Sequence, residues 1–191
     1  MTDNIARWGQ EHRNFMKLLG FLERQLEIFH NADAPNYPLM VDVLRYMTQY
    51  SDLFHHPKED LIFARIKQRQ GGAGEIVEDL ANEHLVLRQS GEKLLDDLAG
   101  IMDGAALLVR ENVERDGRAY IERLRGHMER EERELFPAAA ELLSPQDWMT
   151  IDAAMPDRND PLFGKDVEDR FKSLQRQVAR DVASELQSLP G

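Results

Sequence analysis

His55 and Glu59 stand four residues apart, and so do His127 and Glu131. On an α-helix, residues four apart share a face, one turn above the other. Each pair therefore presents one neutral imidazole and one carboxylate to a common point, a donor mix suited to iron, manganese or zinc. Two such pairs on different helices are a much stronger signal than one. His12 and His84 add a single histidine each, and each lies on the apolar stripe of its own segment. The candidate metal ligands are thus His12, His55, Glu59, His84, His127 and Glu131.

Helices must position them. Residues 4–30 carry Trp8, Phe15, Leu19, Leu22, Leu26 and Phe29 at alternating spacings of three and four, which predicts a helix with one buried stripe. After a break from Asn31 to Pro38, a second helix is expected over about 39–68, with Val43, Met47, Tyr50, Phe54, Ile62 and Ile66 inward. Pro57 lacks the N–H that would bond the Leu53 carbonyl, so a kink is expected there. Gln70 to Gly74 forms a connector. A third helix over about 75–98 turns Val77, Leu80, Leu87, Leu94 and Leu98 inward. Past a second break at Gly100–Gly104, a fourth helix runs from about 106 to 135, with Val113, Tyr120, Leu124 and Leu135 inward.

Beyond Phe136-Pro137 the elements shorten. Ser144 followed by Pro145 reads as an N-cap and first helical residue. Residues 156–162 read as a loop, and about 165–189 as a tail helix with Val167, Phe171, Leu174, Val178, Val182 and Leu186 on one stripe. No strand-like alternation is present. The fold class is all-α: an up-down-up-down four-helix bundle over 1–143, with additional C-terminal helices over 144–191. That extension either packs on the bundle or joins a second copy of the chain in a homodimer.

In such a bundle, residues on neighbouring antiparallel helices are level when the connecting break lies midway between them. The midpoint of 12 and 55 falls inside the Asn31–Pro38 break. The midpoint of 55 and 84 falls at the start of the glycine connector, and that of 84 and 127 just past Gly104. Four histidines and two glutamates therefore converge in one layer of the core. An unpaired carboxylate there would cost on the order of several kcal/mol. A pair of divalent cations removes that cost, with the two glutamates between the ions and two imidazoles on each. Positions then stay open for a small ligand.

Other polar residues are less decisive. His56 points roughly 100° away from His55 on an ideal helix. It has its own i+4 carboxylate, Asp60, so a shifted register using His56 and Asp60 stays open. His30 ends the first helix and suits the helix dipole. Glu11 and Glu83, each preceding an inward histidine, are expected at the surface, with a role behind the ligands as the alternative. Tyr46, Tyr50 and Tyr120 read as core aromatics.

Composition narrows the function classes. The 191 residues include no cysteine, which excludes disulfides and iron–sulfur ligation. A formal net charge of −11 argues against a nucleic-acid partner. No apolar run approaches membrane-spanning length and no signal-peptide pattern opens the chain, so no membrane partner is expected and the expected location is cytoplasmic.

As a group, His12, the His55-His56-Pro57-Lys58-Glu59-Asp60 run, Glu83-His84 and His127-x-x-x-Glu131-Glu132 resemble a hemerythrin-like, HHE cation-binding domain over about residues 4–140. The resemblance implies a non-haem di-iron centre, two iron ions with bridging carboxylates and a bridging oxo or hydroxo group, with manganese or zinc as alternatives. Oxygen-carrying hemerythrins have two histidines four apart on the third helix and an aspartate five residues after the fourth-helix histidine. Here Leu80 and Arg88 flank His84 at those spacings, and the last carboxylate is Glu131. The pattern is more similar to the di-iron proteins of iron-centre repair and nitric-oxide response. The expected function is binding of O2, nitric oxide or peroxide for sensing, storage or stress response. The alternatives are an enzyme reducing nitric oxide or peroxide, and a helical regulatory module with a structural metal.

Overall fold

A computed structural model of the chain describes residues 2–31, 33–69, 74–104 and 110–187. Four long helical rods make the bundle. The first is α1 (Thr2–His30). The second is assembled from α2 (Tyr37–Tyr46), a π-helical run (Met47–His55) and α3 (His56–Arg69). The third is α4 (Gly74–Met102), and the fourth joins α5 (Arg110–Arg130), a π-helical run (Glu131–Leu135) and α6 (Phe136–Leu142). Among the described residues there is no strand. None of the described helices is long and apolar enough to cross a membrane.

Local chemistry sets the ends of these rods. Asn36 accepts a hydrogen bond from the Leu39 N–H at 3.1 Å and so caps α2, which has a proline in its first turn. Gly104, with φ of 66°, takes up the left-handed conformation just beyond α4. The connector residues 70–73 and 105–109 lie outside the described residues.

Packing follows the square expected of an up-down-up-down bundle: α1 contacts α2 and α5, and α4 contacts α2, α3 and α5. The stripes are inward. Phe15, Leu19, Leu22, Leu26, Leu80, Leu94, Leu98 and Leu124 are all essentially inaccessible to solvent. Of the inward positions expected in the four bundle helices, Phe54 is half-buried and the others are buried. At roughly 1.5–3 kcal/mol for each large apolar side chain buried, this core is what orders the rods.

The irregularity expected at Pro57 takes a definite form, a π-helical run ending two residues before the proline. The N–H of His56 bonds the Ser51 carbonyl, five residues back. The same device recurs before Pro137, where the N–H of Phe136 bonds the Glu131 carbonyl. A turn closed between residues five apart holds one residue more than an α-turn, and each proline then falls in the first turn of the α-helix that resumes.

Met1–Asp157 forms one compact unit and Arg158–Gly191 a second. The first contains the bundle and α7 (Pro145–Ala154), which opens with the expected Ser144 cap, here a reciprocal capping box with Asp147, and packs on α3. In the second unit, α8 (Lys172–Gln187) starts later than the expected 165, after a short 3₁₀ turn, Asp169–Phe171. The cause is local: Asp160 Oδ1 accepts from the N–H groups of Leu162 and Phe163, and Asn159 Oδ1 from that of Lys165. Such side-chain bonds satisfy the backbone without a helix. Residues 188 and 189 of the expected tail helix lie outside the described residues.

Candidate metal centre

Each rod contributes to one layer. His12 comes from α1, Glu59 from α3 and His84 from α4. His55 is the last residue of the first π-helical run, His127 lies in the last turn of α5, and Glu131 opens the second π-helical run. All six are buried, with Glu59 and Glu131 at 0% exposure. The structure therefore brings together all six residues singled out from the sequence.

Their inner atoms face one another. The Nε2 atoms of His12 and His55 are 3.1 Å apart. Glu59 Oε1 lies 3.6 Å from His12 Nε2 and 3.2 Å from His55 Nε2, while its Oε2 lies 3.6 Å from His84 Nε2. Glu131 mirrors this: Oε2 is 3.5 Å from His12 Nε2, and Oε1 is 3.5 Å from His84 and 3.2 Å from His127 Nε2. Each glutamate thus turns one oxygen toward the His12/His55 half and the other toward the His84/His127 half.

The outer nitrogens are held just as regularly. His55 Nδ1 is 2.6 Å from Glu11, His84 Nδ1 2.8 Å from Asp60, His127 Nδ1 2.8 Å from Glu83 and His12 Nδ1 3.0 Å from Glu132. Every rod gives one carboxylate to the histidine of the next, first to second, second to third, third to fourth and fourth back to first. With Nδ1–H donating to a carboxylate, each ring in its neutral form presents its Nε2 lone pair inward. The carboxylates are themselves braced, Glu83 by Arg130.

Without a cation this arrangement is strained electrostatically. Both oxygens of Glu59, both oxygens of Glu131 and the Nε2 atoms of His84 and His127 are buried without a hydrogen-bond partner. The charges packed in this layer set one another's protonation. Burial disfavours the imidazolium of His55, yet the Glu59 charge 3.2 Å away and the bond to Glu11 hold its pKa well above the ordinary value. In His84 burial is likewise outweighed, by the bond to Asp60 and the nearby charges of Glu131 and Glu59, and the pKa rises to about 9. Burial and the Glu59 charge push Glu131 up, but His127 and His84 prevail and bring it to about 2. The donor set, four imidazole nitrogens and four carboxylate oxygens, fits divalent cations.

A family model described as the hemerythrin HHE cation-binding domain matches residues 3–139. The chain belongs to that family. Searches among curated proteins and solved structures return no match. For a hemerythrin HHE domain, a buried cluster of histidines and glutamates is the feature that a cation-binding activity requires.

Two sequence expectations change within this HHE domain. His56 does not point away from the core; it is as buried as His55, because the π-helical run admits both to the inward face. Ligand atoms of His56, Glu59, His84 and His127 lie within 4.8 Å of one another, as do those of His12, His55 and Glu59. However, the His56 ring lies parallel to that of His84, with centroids 4.3 Å apart and planes within 13°. A nitrogen lone pair lies in its ring plane, so one ion cannot sit on both rings in this arrangement. His84 is instead clamped between His56 and Phe63, whose ring stacks at 5.3 Å. Burial lowers the His56 pKa to about 4, and its Nε2 and Nδ1 are 3.2 Å from Ser51 Oγ and 3.0 Å from Asp52. Asp60, its partner in the shifted register, is half exposed and holds His84 from behind.

The second change concerns Glu11 and Glu83, which hold His55 and His127 and are not simply surface residues. A signal for this was present. One constant shift in residue number carries Glu11, His12, His55, Glu59 and Asp60 onto Glu83, His84, His127, Glu131 and Glu132. Adjacent Glu-His and Glu-acid pairs recurring at that shift are more than ligand positions require. His30, by contrast, pairs with Glu114 on α5, away from the cluster. Tyr46 stacks on Tyr50 and meets Phe15, which packs edge-on against His55. Tyr120 is buried, and burial and the Asp52 charge raise its pKa.

Proposed function

We propose that this protein holds two metal ions, iron above all, and uses them to bind O2, nitric oxide or peroxide for sensing, storage or stress response. In this reading His12 and His55 hold one ion and His84 and His127 the other, with Glu59 and Glu131 shared between them. The observation carrying it is the set of partnerless, fully buried carboxylate oxygens of Glu59 and Glu131, each aimed at both imidazole pairs. Two histidines and carboxylates per ion are the donor type of non-haem iron sites that keep positions open. When bound, such ions supply Lewis acidity and, for iron, one-electron chemistry toward a small ligand.

The protein side of this function is orientation and shielding. Glu132, Glu11, Asp60 and Glu83 fix the tautomer and rotation of the four histidines and raise their basicity. Phe15 against His55 and Phe136 stacked on His12 at 5.3 Å keep water from the His12/His55 half. Mn2+ or Zn2+ would fit the same donors, so the metal is the point to test. Iron-loaded protein should develop an oxygen-to-iron absorption band under air, and a different spectrum under nitric oxide. Identical spectra under argon, air, peroxide and nitric oxide would remove the small-ligand reading.

A further inference from the structure

The immediate ligands of the two halves are related by a constant shift, but their surroundings are not. The His84/His127 half is backed by His56, Ser51 and Asp52. Beside the His12/His55 half, Phe136 and Trp8 lead outward to α7, which lies beyond the stretch matched by the family, residues 3–139. Two paths connect α7 and the residues just after it to that half. The first is aromatic. Trp148 of α7 packs on Trp8 with ring centroids 5.7 Å apart, Trp8 on Phe136 at 6.0 Å, and Phe136 on His12 at 5.3 Å. The second is ionic. Asp157 pairs with Arg7, Arg7 Nε lies 4.0 Å from Glu11, and Glu11 holds His55 Nδ1.

The anchor of both is Lys58, next to Glu59 in sequence. Its side chain is only 6% exposed, and its ammonium lies 2.9 Å from Asp152 and 2.5 Å from Asp157. Asp152 also receives the Asn4 side-chain N–H. At the other end of α7, Asp147 pairs with Arg65 and Arg69. The two ion pairs of Lys58 thus tie both α7 and the turn after it to α3, directly beside Glu59.

We propose that α7 and the turn after it form a clasp whose seating on Lys58, Arg7 and Trp8 orients His12 and His55, making cation affinity of that half depend on this segment. Lys58, Arg7 and Trp148 are then positioning residues, acting through Glu11 and Phe136. The proposal rests on the two-ion reading above and predicts a selective effect. A change that loosened the whole bundle would weaken both halves together; loosening the clasp weakens one.

The test is calorimetric titration of metal-free full-length protein with Co2+ under neutral conditions, with His55→Ala and His127→Ala variants identifying which binding step belongs to which half. Lys58→Met and Asp157→Asn should each weaken the His55-dependent step about tenfold or more and leave the His127-dependent step unchanged, and Lys58→Arg should restore it. Should Lys58→Met fail to fold, Trp148→Phe, which keeps a ring beside Trp8 but shortens the aromatic path, should weaken the same step alone. Equal weakening of both steps in Asp157→Asn, or no change in either step, would overturn the clasp while leaving the two-ion site standing. Uptake of one ion per chain, or none, by the unmodified protein would overturn the two-ion reading and the clasp with it.

Discussion

The four carboxylate–imidazole bonds behind the cluster are what make a set of histidines into a site. A histidine free to rotate would offer either nitrogen in any direction. Here Glu11, Asp60, Glu83 and Glu132 leave only Nε2 facing inward. Removing one such partner usually costs a metal site about 10–100-fold in affinity. Glu83→Gln should therefore weaken cation binding by about that factor while leaving the helical circular dichroism unchanged; equal affinity would show that the ring is incidental. His56 allows the opposite test. If it clamps His84 by stacking, His56→Phe preserves the clamp and metal stoichiometry is retained, whereas a lost equivalent in titration would mark His56 as a ligand after all. The six inner residues were legible because their spacing and level follow from helix geometry alone. The outer carboxylates were harder to read, since a glutamate beside an inward histidine is turned roughly 100° away and serves the next helix.

At the scale of elements, the two π-helical runs and α7 carry most of what the sequence concealed. Hydrophobic periodicity locates a rod but is nearly blind to one extra residue in a turn. Pro57 marked the place and not the form of the irregularity. The consequence is large for one residue, because the extra residue in the turn puts His55 and His56 inward side by side. Helix α7 was legible from Ser144 and Pro145, yet its docking was not, because Asp147, Asp152 and Asp157 find their cations on α1 and α3. The late start of α8 was hidden for a related reason: Asn159 and Asp160 bond backbone N–H groups up to Lys165, the first residue of the expected helix. Trp148 is buried against Trp8, so Trp148→Ala should destabilise the protein by about 3–5 kcal/mol, read from denaturant midpoints. A loss below about 1 kcal/mol would mean that α7 is only loosely seated.

For the molecule as a whole, metal, protons and stability are linked. In the metal-free protein His84 titrates at about 9, above its ordinary 6.5, so the folded state binds that proton more tightly than the unfolded chain does. The resulting stabilisation is complete below 6.5 and disappears as pH rises through about 9, a loss of about 3 kcal/mol. Metal-free protein should therefore have a falling Tm between pH 6.5 and 9, and metal-loaded protein a nearly flat one; parallel curves would mean that the imidazoles do not carry the compensating charge. For the same reason a cation must displace protons on binding. Its apparent affinity should drop as pH falls below about 9, by about tenfold per unit for each proton released.

In the proposed function two cations occupy the layer defined by His12, His55, Glu59, His84, His127 and Glu131. Counting metal per chain by elemental analysis, in protein purified without added metal and again after iron loading and desalting, addresses it directly. The expected result is about two ions per chain after loading, reduced in Glu59→Gln. Negligible metal in both preparations, with unchanged folding after chelation, would contradict it.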